Sequence, residues 1–513
     1  MTFNWLYRLG DWNPQFFREF KGRLHPKTLY LTVTVSLMAQ LVLLLYFWQF
    51  LPVTGTRSNR YCTGSKISDD SLIYRSYDEG LPECIKAMGG NLLVNWPLWW
   101  SEIVQALNWA LPLVLLSAGV YMLISDLAKE ERRRTLNFIR LSPQTSQSIL
   151  IGKILGVPLV PYLAVALALP LQLMAAMGAA VPAKEVLSLY LLTIAAAGFF
   201  YTGSLLLVSL GVFQGWVGAI IVWLSYSLFF MFSSNWSIHY FFGLGEWYFL
   251  SLNNHLSLAL GLALLTFGLS TFWIWQAVNR RFRNPNVTLL SKRQSYSMTA
   301  CFELWLLGFV YHNLDSWDSS FIEFVLIAIV NLLWFLVLMV ALMPQRQRLL
   351  DWARYRREQA HTAKQFVNRS VLRDLIWGEK SPTVLAIGVN LLITAGIFSL
   401  WIFSWREQYE QIEAFTIILL GSLFVLTCAV TAHSELLMKS FKGTSLAVSF
   451  AWIFLFSVSA FVIISEQITA GMVFLSFLEH LSVLSLLTVR LTRQIRRVGA
   501  SESKSLLIGS NGV

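Results

Sequence analysis

Residues 124–156 read ISDLAKEERRRTLNFIRLSPQTSQSILIGKILG, a charged stretch pressed between two long apolar segments. Charges as dense as Lys129-Glu130-Glu131-Arg132-Arg133-Arg134 cannot rest in hydrocarbon, so the two flanking segments cross a membrane and the stretch between them forms a helical hairpin at its surface. Its excess of arginine puts that surface on the cytoplasmic side. The whole chain agrees with this reading. Its 513 residues are 56% hydrophobic and only 13% charged, about half the ~25% charge of an ordinary soluble domain, and the apolar residues come in span-length runs.

The fold class expected is therefore an all-α integral membrane protein, with about twelve transmembrane helices and amphipathic interfacial helices. The net charge of +11 sits in short segments beside the apolar runs. That placement suits an anionic inner leaflet and membrane lipid, and it excludes nucleic acid as a partner. Cys301 and Cys428 lie in apolar spans, whereas Cys62 and Cys84 share one polar loop. These two are the candidate disulfide if that loop faces an oxidising compartment. The first apolar run is too long for a signal peptide and has no small-residue cleavage site after it, so it is expected to be retained as an anchor.

Residues 1–27 alternate aromatics with charge, as in Phe16-Phe17-Arg18-Glu19-Phe20-Lys21, and suit a helix lying in the headgroup region. A first span, 28–52, leads to the polar loop 53–91, whose bases (Arg57, Arg60, Lys66, Arg75, Lys86) are matched by as many acids. That balance marks the outside. The Trp-rich stretch 92–108 reads as an interfacial approach to a second span at 107–125. A third span, 148–177, carries Pro158, Pro161 and Pro170 and is expected to be kinked. Spans at 186–212 and 216–232 follow, then a re-entrant or surface piece at 233–253, too short in apolar residues to cross. A sixth span, 256–278, ends at Asn279-Arg280-Arg281-Phe282-Arg283, a cytoplasmic stop.

Beyond it, 298–311 and 321–342 form a hairpin with an outer acidic tip, and Glu303 and Glu323 are placed near span ends. Residues 345–382 hold nine Lys/Arg against four acids and read as cytoplasmic helix on the membrane. Four more spans are expected at 384–403, 415–432, 446–464 and 470–491, with both termini cytoplasmic. Arg373-Asp374-Leu375-Ile376-Trp377-Gly378-Glu379-Lys380-Ser381-Pro382-Thr383 echoes Arg18-Glu19-Phe20-Lys21-Gly22-Arg23-Leu24-His25-Pro26-Lys27-Thr28 with one gap, a weak internal repeat. The domains expected are thus 1–283, six spans; 284–344, a two-span hairpin; and 345–513, an amphipathic segment followed by a possible degenerate repeat of the first domain. Residues 433–446 would be its degenerate counterpart to the charged hairpin.

In the opening stretch Glu130 precedes Thr135-Leu136, then come Phe138-Ile139, Ser142-Pro143, and Gly152-Lys153 at the mouth of the next apolar run. This order resembles the first cytoplasmic loop of the type-2 exporter permeases of ABC transporters, over 124–156 at motif level and over residues 1–280 at the level of topology. The family places a Gly immediately before the Thr-Leu pair, where this chain has Arg134. The resemblance implies a coupling helix made by Glu130, Thr135, Leu136, Phe138, Ile139, Ser142 and Pro143. Leu136, Phe138 and Ile139 would anchor it in a groove of a separate ABC ATPase subunit, and Glu130 would add a charged hydrogen bond. It also implies a second permease chain, identical or related, and a site in the bacterial plasma (inner) membrane. The plain alternative is a solvated helix that only marks the cytoplasmic side.

No Gly-rich loop ending in Gly-Lys-Ser/Thr occurs, so no ATP hydrolysis is expected in this chain and ATP belongs on the partner. No cofactor, metal site or catalytic set is expected either, the seven histidines being scattered. Glu479 and His480 stand mid-span, where ionisable residues are normally paired or face water, and form the candidate intramembrane polar site. Two other functions stay open: a secondary transporter driven by an ion gradient, which needs intramembrane ionisable groups, and a membrane-embedded lipid-modifying enzyme, which needs a polar cluster at one interface.

Overall fold

The structure is a computed structural model that describes residues 10–65, 81–86, 92–234, 246–252, 255–311, 319–362, 367–437 and 470–509. Contacts divide the chain into two compact units, residues 1–234 with 259–283 and residues 235–258 with 284–513. Residues 284–344 fall in the second of these units. Nine of the described helices are long and apolar enough to cross a membrane. They make the chain a multi-pass helical membrane protein.

In the first unit a short helix α1 (Pro14–Arg23) precedes α2 (Pro26–Trp48), α3 (Trp96–Arg132), α4 (Thr135–Arg140), α5 (Ser146–Gly156), α6 (Leu159–Gly178), α7 (Ala183–Ser209), α8 (Gly215–Ser234) and α9 (Leu256–Arg283). Local chemistry sets the starts. Asn13 accepts a hydrogen bond from the Phe16 amide ahead of Pro14, Asn95 does the same for Leu98 ahead of Pro97, and Thr145 for Ser148. At 1.5 Å per residue α3 is about 55 Å long, against a hydrocarbon core of about 30 Å, so its charged end from Asp126 onward must stand clear of the apolar layer.

The stretch 92–108 is not a separate interfacial approach: from Trp96 on it forms the first turns of α3. Trp99 is buried there, its indole donating to the Phe47 carbonyl at 3.0 Å. Pro112 lies inside the same helix, and the carbonyl that it leaves without its usual donor, that of Asn108, accepts from the Tyr226 hydroxyl at 3.3 Å. Around α3 gathers the main core of the unit: Leu116, Val120, Leu123, Ile124 and Leu127, joined by Leu136 of α4, Ile149 and Leu150 of α5, Tyr201 and Leu205 of α7, Val222 of α8 and Phe282 of α9. The expected third span is broken outright. Helix α5 stops at Gly156 and α6 restarts at Leu159, where Pro158 and Pro161 remove two amide donors in close succession.

A two-residue hairpin of β1 (Glu246–Trp247) and β2 (Leu250–Ser251) opens the described part of the second unit. Its helices are α10 (Lys292–Leu307), α11 (Ser319–Leu342), α12 (Arg346–Thr362), α13 (Val367–Trp377), α14 (Val384–Ile402), α15 (Gln408–Leu437) and α16 (Ala470–Gly509). Helix α10 packs on α14, α14 on α15, and α15 on both α11 and α16.

Three of the twelve expected spans are not among these nine. The fifth is apolar only over Gly215–Leu228 among its described residues. The seventh is α10, sixteen residues long and too polar. The eleventh, 446–464, lies outside the described residues, as does most of 433–446. Both copies of the internal repeat have the same local layout, a short helix (α1, α13) that stops just before a proline and is followed by a span (α2, α14).

Candidate functional site

Helix α1 lies directly on α5, because α5 shows it two glycines one turn apart. A Cβ on Gly152 would stand 2.6 Å from Asn13 Oδ1 and 2.8 Å from the Phe16 nitrogen, and one on Gly156 would stand 2.6 Å from the Glu19 Cβ. The Asn13 amide also donates to the Ser148 carbonyl at 2.8 Å. This close approach brings Glu19 over Lys153, the residue after Gly152.

Lys153 is 2% exposed, and its ammonium donates to Glu19 Oε1 at 2.7 Å, Asp126 Oδ2 at 2.6 Å and Glu130 Oε1 at 2.7 Å. Arg23 donates to Asp126 Oδ1 at 2.6 Å and Glu19 Oε2 at 3.3 Å, while Arg18 reaches Glu130 at 2.7 Å and Glu19 at 3.2 Å. Three carboxylates are thereby matched by three cations. Burial acts to raise the Glu19 pKa, but Lys153, Arg23 and Arg18 outweigh it and hold the carboxyl below its ordinary value. The three carboxylates bring oxygens within 4.8 Å of one another, a spacing that also suits a metal ion. Here the Lys153 ammonium supplies the positive charge between them.

This ionic knot braces the hairpin that leaves α3. Arg134 adopts φ 59°, ψ 12°, the left-handed turn that glycine takes most readily, at the position where the resembled family has Gly. Thr135 then donates to the Glu130 carbonyl at 3.2 Å and α4 begins. Its Leu136 is 3% exposed in the main core, and Ile139 is half-buried against that core. Phe138 and Leu141 point away, 77% and 83% exposed, with Arg132, Arg133, Arg134 and Pro143 exposed around them. Ser142 closes the turn by donating to the Ile139 carbonyl at 2.7 Å, and Ser146 donates to Asn279 of α9.

The structure therefore divides the residues expected to couple. Leu136 cannot anchor an external contact because it is spent on the core, and Glu130 Oε1 is committed to Lys153 and Arg18. Of the three expected apolar anchors Phe138 is the exposed one, and Leu141, not singled out in the sequence, stands beside it. The bracing residues Lys153, Glu19, Asp126, Arg18 and Arg23 also went unread. Their signal was present as two acids one helical turn apart, Asp126 and Glu130, and a lysine at the mouth of an apolar run.

Cys62 and Cys84 are joined in a disulfide with Cα atoms 4.8 Å apart. Beside it Tyr61 is fully buried and donates to Glu102 of α3 at 2.5 Å. Glu479 and His480 do not form one site: Glu479 is exposed, whereas His480 is buried with Nδ1 2.8 Å from the Ser476 carbonyl. Glu303 lies near the end of α10 and is fully buried; the side chain of Glu323 lies outside the described residues.

The second unit has its own buried lysine. Lys292 donates to the Leu375 carbonyl at 2.6 Å, to Ser381 Oγ at 2.8 Å and to the Pro382 carbonyl at 3.1 Å, pinning the end of α13 as Lys153 pins α1. No protein-family model, curated protein or solved structure matches the chain.

Proposed function

We propose that the chain is the membrane permease component of an ATP-driven ABC exporter, forming the translocation pathway and coupling through α4 to a separate ATPase subunit. One observation carries the reading: α4 is a short helix set on a left-handed turn next to the Lys153 knot, and it leaves Phe138 and Leu141 exposed just after the exposed Arg132, Arg133 and Arg134. Two exposed apolar side chains on a charged hairpin suit insertion into a groove of a soluble partner. Lys153 ties α1, α3 and α5 together at that point, so a push on α4 reaches three elements at once. Residues 126–147 would then be cytoplasmic and 53–91, with the disulfide, external. The working unit needs two membrane halves, supplied by a homodimer or a related chain in the bacterial inner membrane.

The test begins with the neighbouring genes, where an ATPase with a nucleotide-binding loop is expected, and continues with co-expression of that ATPase and this chain. Phe138→Asp with Leu141→Asp should leave insertion intact and abolish both co-purification of the ATPase and its stimulated ATP hydrolysis. Unchanged binding in that double variant refutes the coupling role. A secondary transporter driven by an ion gradient is the second reading, and what favours it is the buried polar seam of the second unit.

A further inference from the structure

One face of α10 carries Lys292, Ser295, Thr299 and Glu303, spaced three and four residues apart and each at most 2% exposed. This polar stripe meets another on α14. Asn390 donates to Ser295 Oγ at 3.1 Å, and one turn further along Thr394 donates to Glu303 Oε1 at 2.7 Å. Asn331 of α11 approaches the same carboxyl from a third side. Helices α11 and α14 are both apolar enough to span, so the seam lies inside a membrane bundle.

Elsewhere in these bundles a threonine is quieted by its own helix: Thr266, Thr416, Thr427 and Thr431 donate to the carbonyl four residues back. Thr394 gives its proton to Glu303 instead, and the Thr299 hydroxyl is buried with no partner. Also buried without a partner are Glu303 Oε2, Asn331 Oδ1 and Asn390 Oδ1, all acceptors. Leaving so many lone pairs unmet inside a bundle is costly, and a bound cation satisfies several of them together. A proton on Glu303 supplies one donor and leaves the rest unmet.

We propose that Glu303, Thr299, Asn331 and Thr394 form a binding site for one alkali-metal cation inside the second unit. The ligands are hard oxygens, and a single carboxylate among neutral groups balances a single positive charge. Among the described residues no protein cation does this already. Lys292 is ~16 Å away along α10 and its ammonium is held by Leu375, Ser381 and Pro382. On the neighbouring elements Asp374 of α13 is paired with Arg356, and His433 of α15 is bonded to Thr383. Among the described residues neither α11 nor α14 turns a charged side chain toward Glu303. The site does not depend on the coupling role of α4, and its failure would leave that role untouched.

The experiment uses the full chain, purified in detergent, and follows the thermal midpoint by tryptophan fluorescence in sodium, potassium or choline chloride at equal ionic strength and neutral pH. A saturable rise in midpoint with sodium or potassium over choline is expected. It should vanish in Glu303→Gln, weaken in Thr394→Val, and persist in Glu479→Gln, where the carboxyl is exposed. Should Glu303→Gln fail to fold, Thr299→Val must weaken the response in its place. Equal midpoints in the three salts, a response that survives Glu303→Gln, or a midpoint that follows pH but not the alkali cation overturns the site.

Discussion

Replacing Lys153 with methionine tests the frame of the first unit most directly. The side chain keeps its length and apolar stem but loses the ammonium that meets Glu19, Asp126 and Glu130 within 2.7 Å. Three carboxylates then face only Arg23 and Arg18, and the Arg18 side chain is 51% exposed and screened by solvent. Removing one partner from a buried ionic cluster costs about 3–5 kcal/mol, because the remaining charges are left in poor solvent. Glu130→Gln is the calibrating variant. It leaves Lys153 with Glu19 and Asp126, and the loss should be nearer 1.5–3 kcal/mol, about one hydrogen bond to a charged group.

Equilibrium unfolding in mixed micelles measures both variants, and pH separates cause from accident. In the wild type, Glu19 has a folded pKa below 4.5, so its contribution is fully present above 4.5 and is lost as pH falls through the folded value. In Lys153→Met the buried Glu19 carboxyl loses its main counter-charge and gains affinity for protons, so lowering the pH from neutral should stabilise the variant relative to wild type. Adding Glu19→Gln should recover part of the loss. A cost below ~1 kcal/mol, or a pH slope equal to that of the wild type, would refute the claim that this knot holds α1, α3 and α5 together.

Two further outcomes follow from the same region. Arg134→Gly should stabilise by about 1 kcal/mol, since glycine adopts φ 59° without the Cβ penalty; a lower thermal midpoint would mean that the arginine side chain makes a contact stronger than the strain. Gly152→Ala should cost about 1–3 kcal/mol and expose Arg18 and Arg23 to trypsin, because its Cβ would enter the space of Asn13 and Phe16. Gly203→Ala, with nothing within 4 Å, is the control, and equal protection of α1 in both variants would contradict the packing.

Apolar run length and charge were enough to read most spans and the charged hairpin, because burial of backbone in hydrocarbon leaves a helix as the default. Helix α10 escaped that logic. Counting apolar residues over 298–311 put Glu303 at an end, whereas the spacing of Lys292, Ser295, Thr299 and Glu303 along one face carried the stronger signal. The Lys153 knot was illegible for a different reason: Glu19 and Lys153 are 134 residues apart, and nothing local to either announces the other. Besides the spacing of Asp126, Glu130 and Lys153, its local traces were Gly152 and Gly156, which read as ordinary small residues until α1 is seen resting on them. The outward turn of Phe138 against the inward turn of Leu136 likewise depended on how α4 settles on α3 and α9, not on hydrophobicity.

Helix α3 is one unbroken lever. Its charged end carries the Lys153 knot and leads into α4, and its other end carries Trp99 and Glu102, the latter holding Tyr61 beside the disulfide. Its one internal proline is Pro112, where the Tyr226 hydroxyl rather than an amide meets the Asn108 carbonyl. A stiff rod with a single soft joint hands on whatever torque it receives, less what the joint absorbs. Under the proposed coupling role, a push on α4 would travel toward Trp99 through this one joint, where the Tyr226 hydroxyl meets the Asn108 carbonyl.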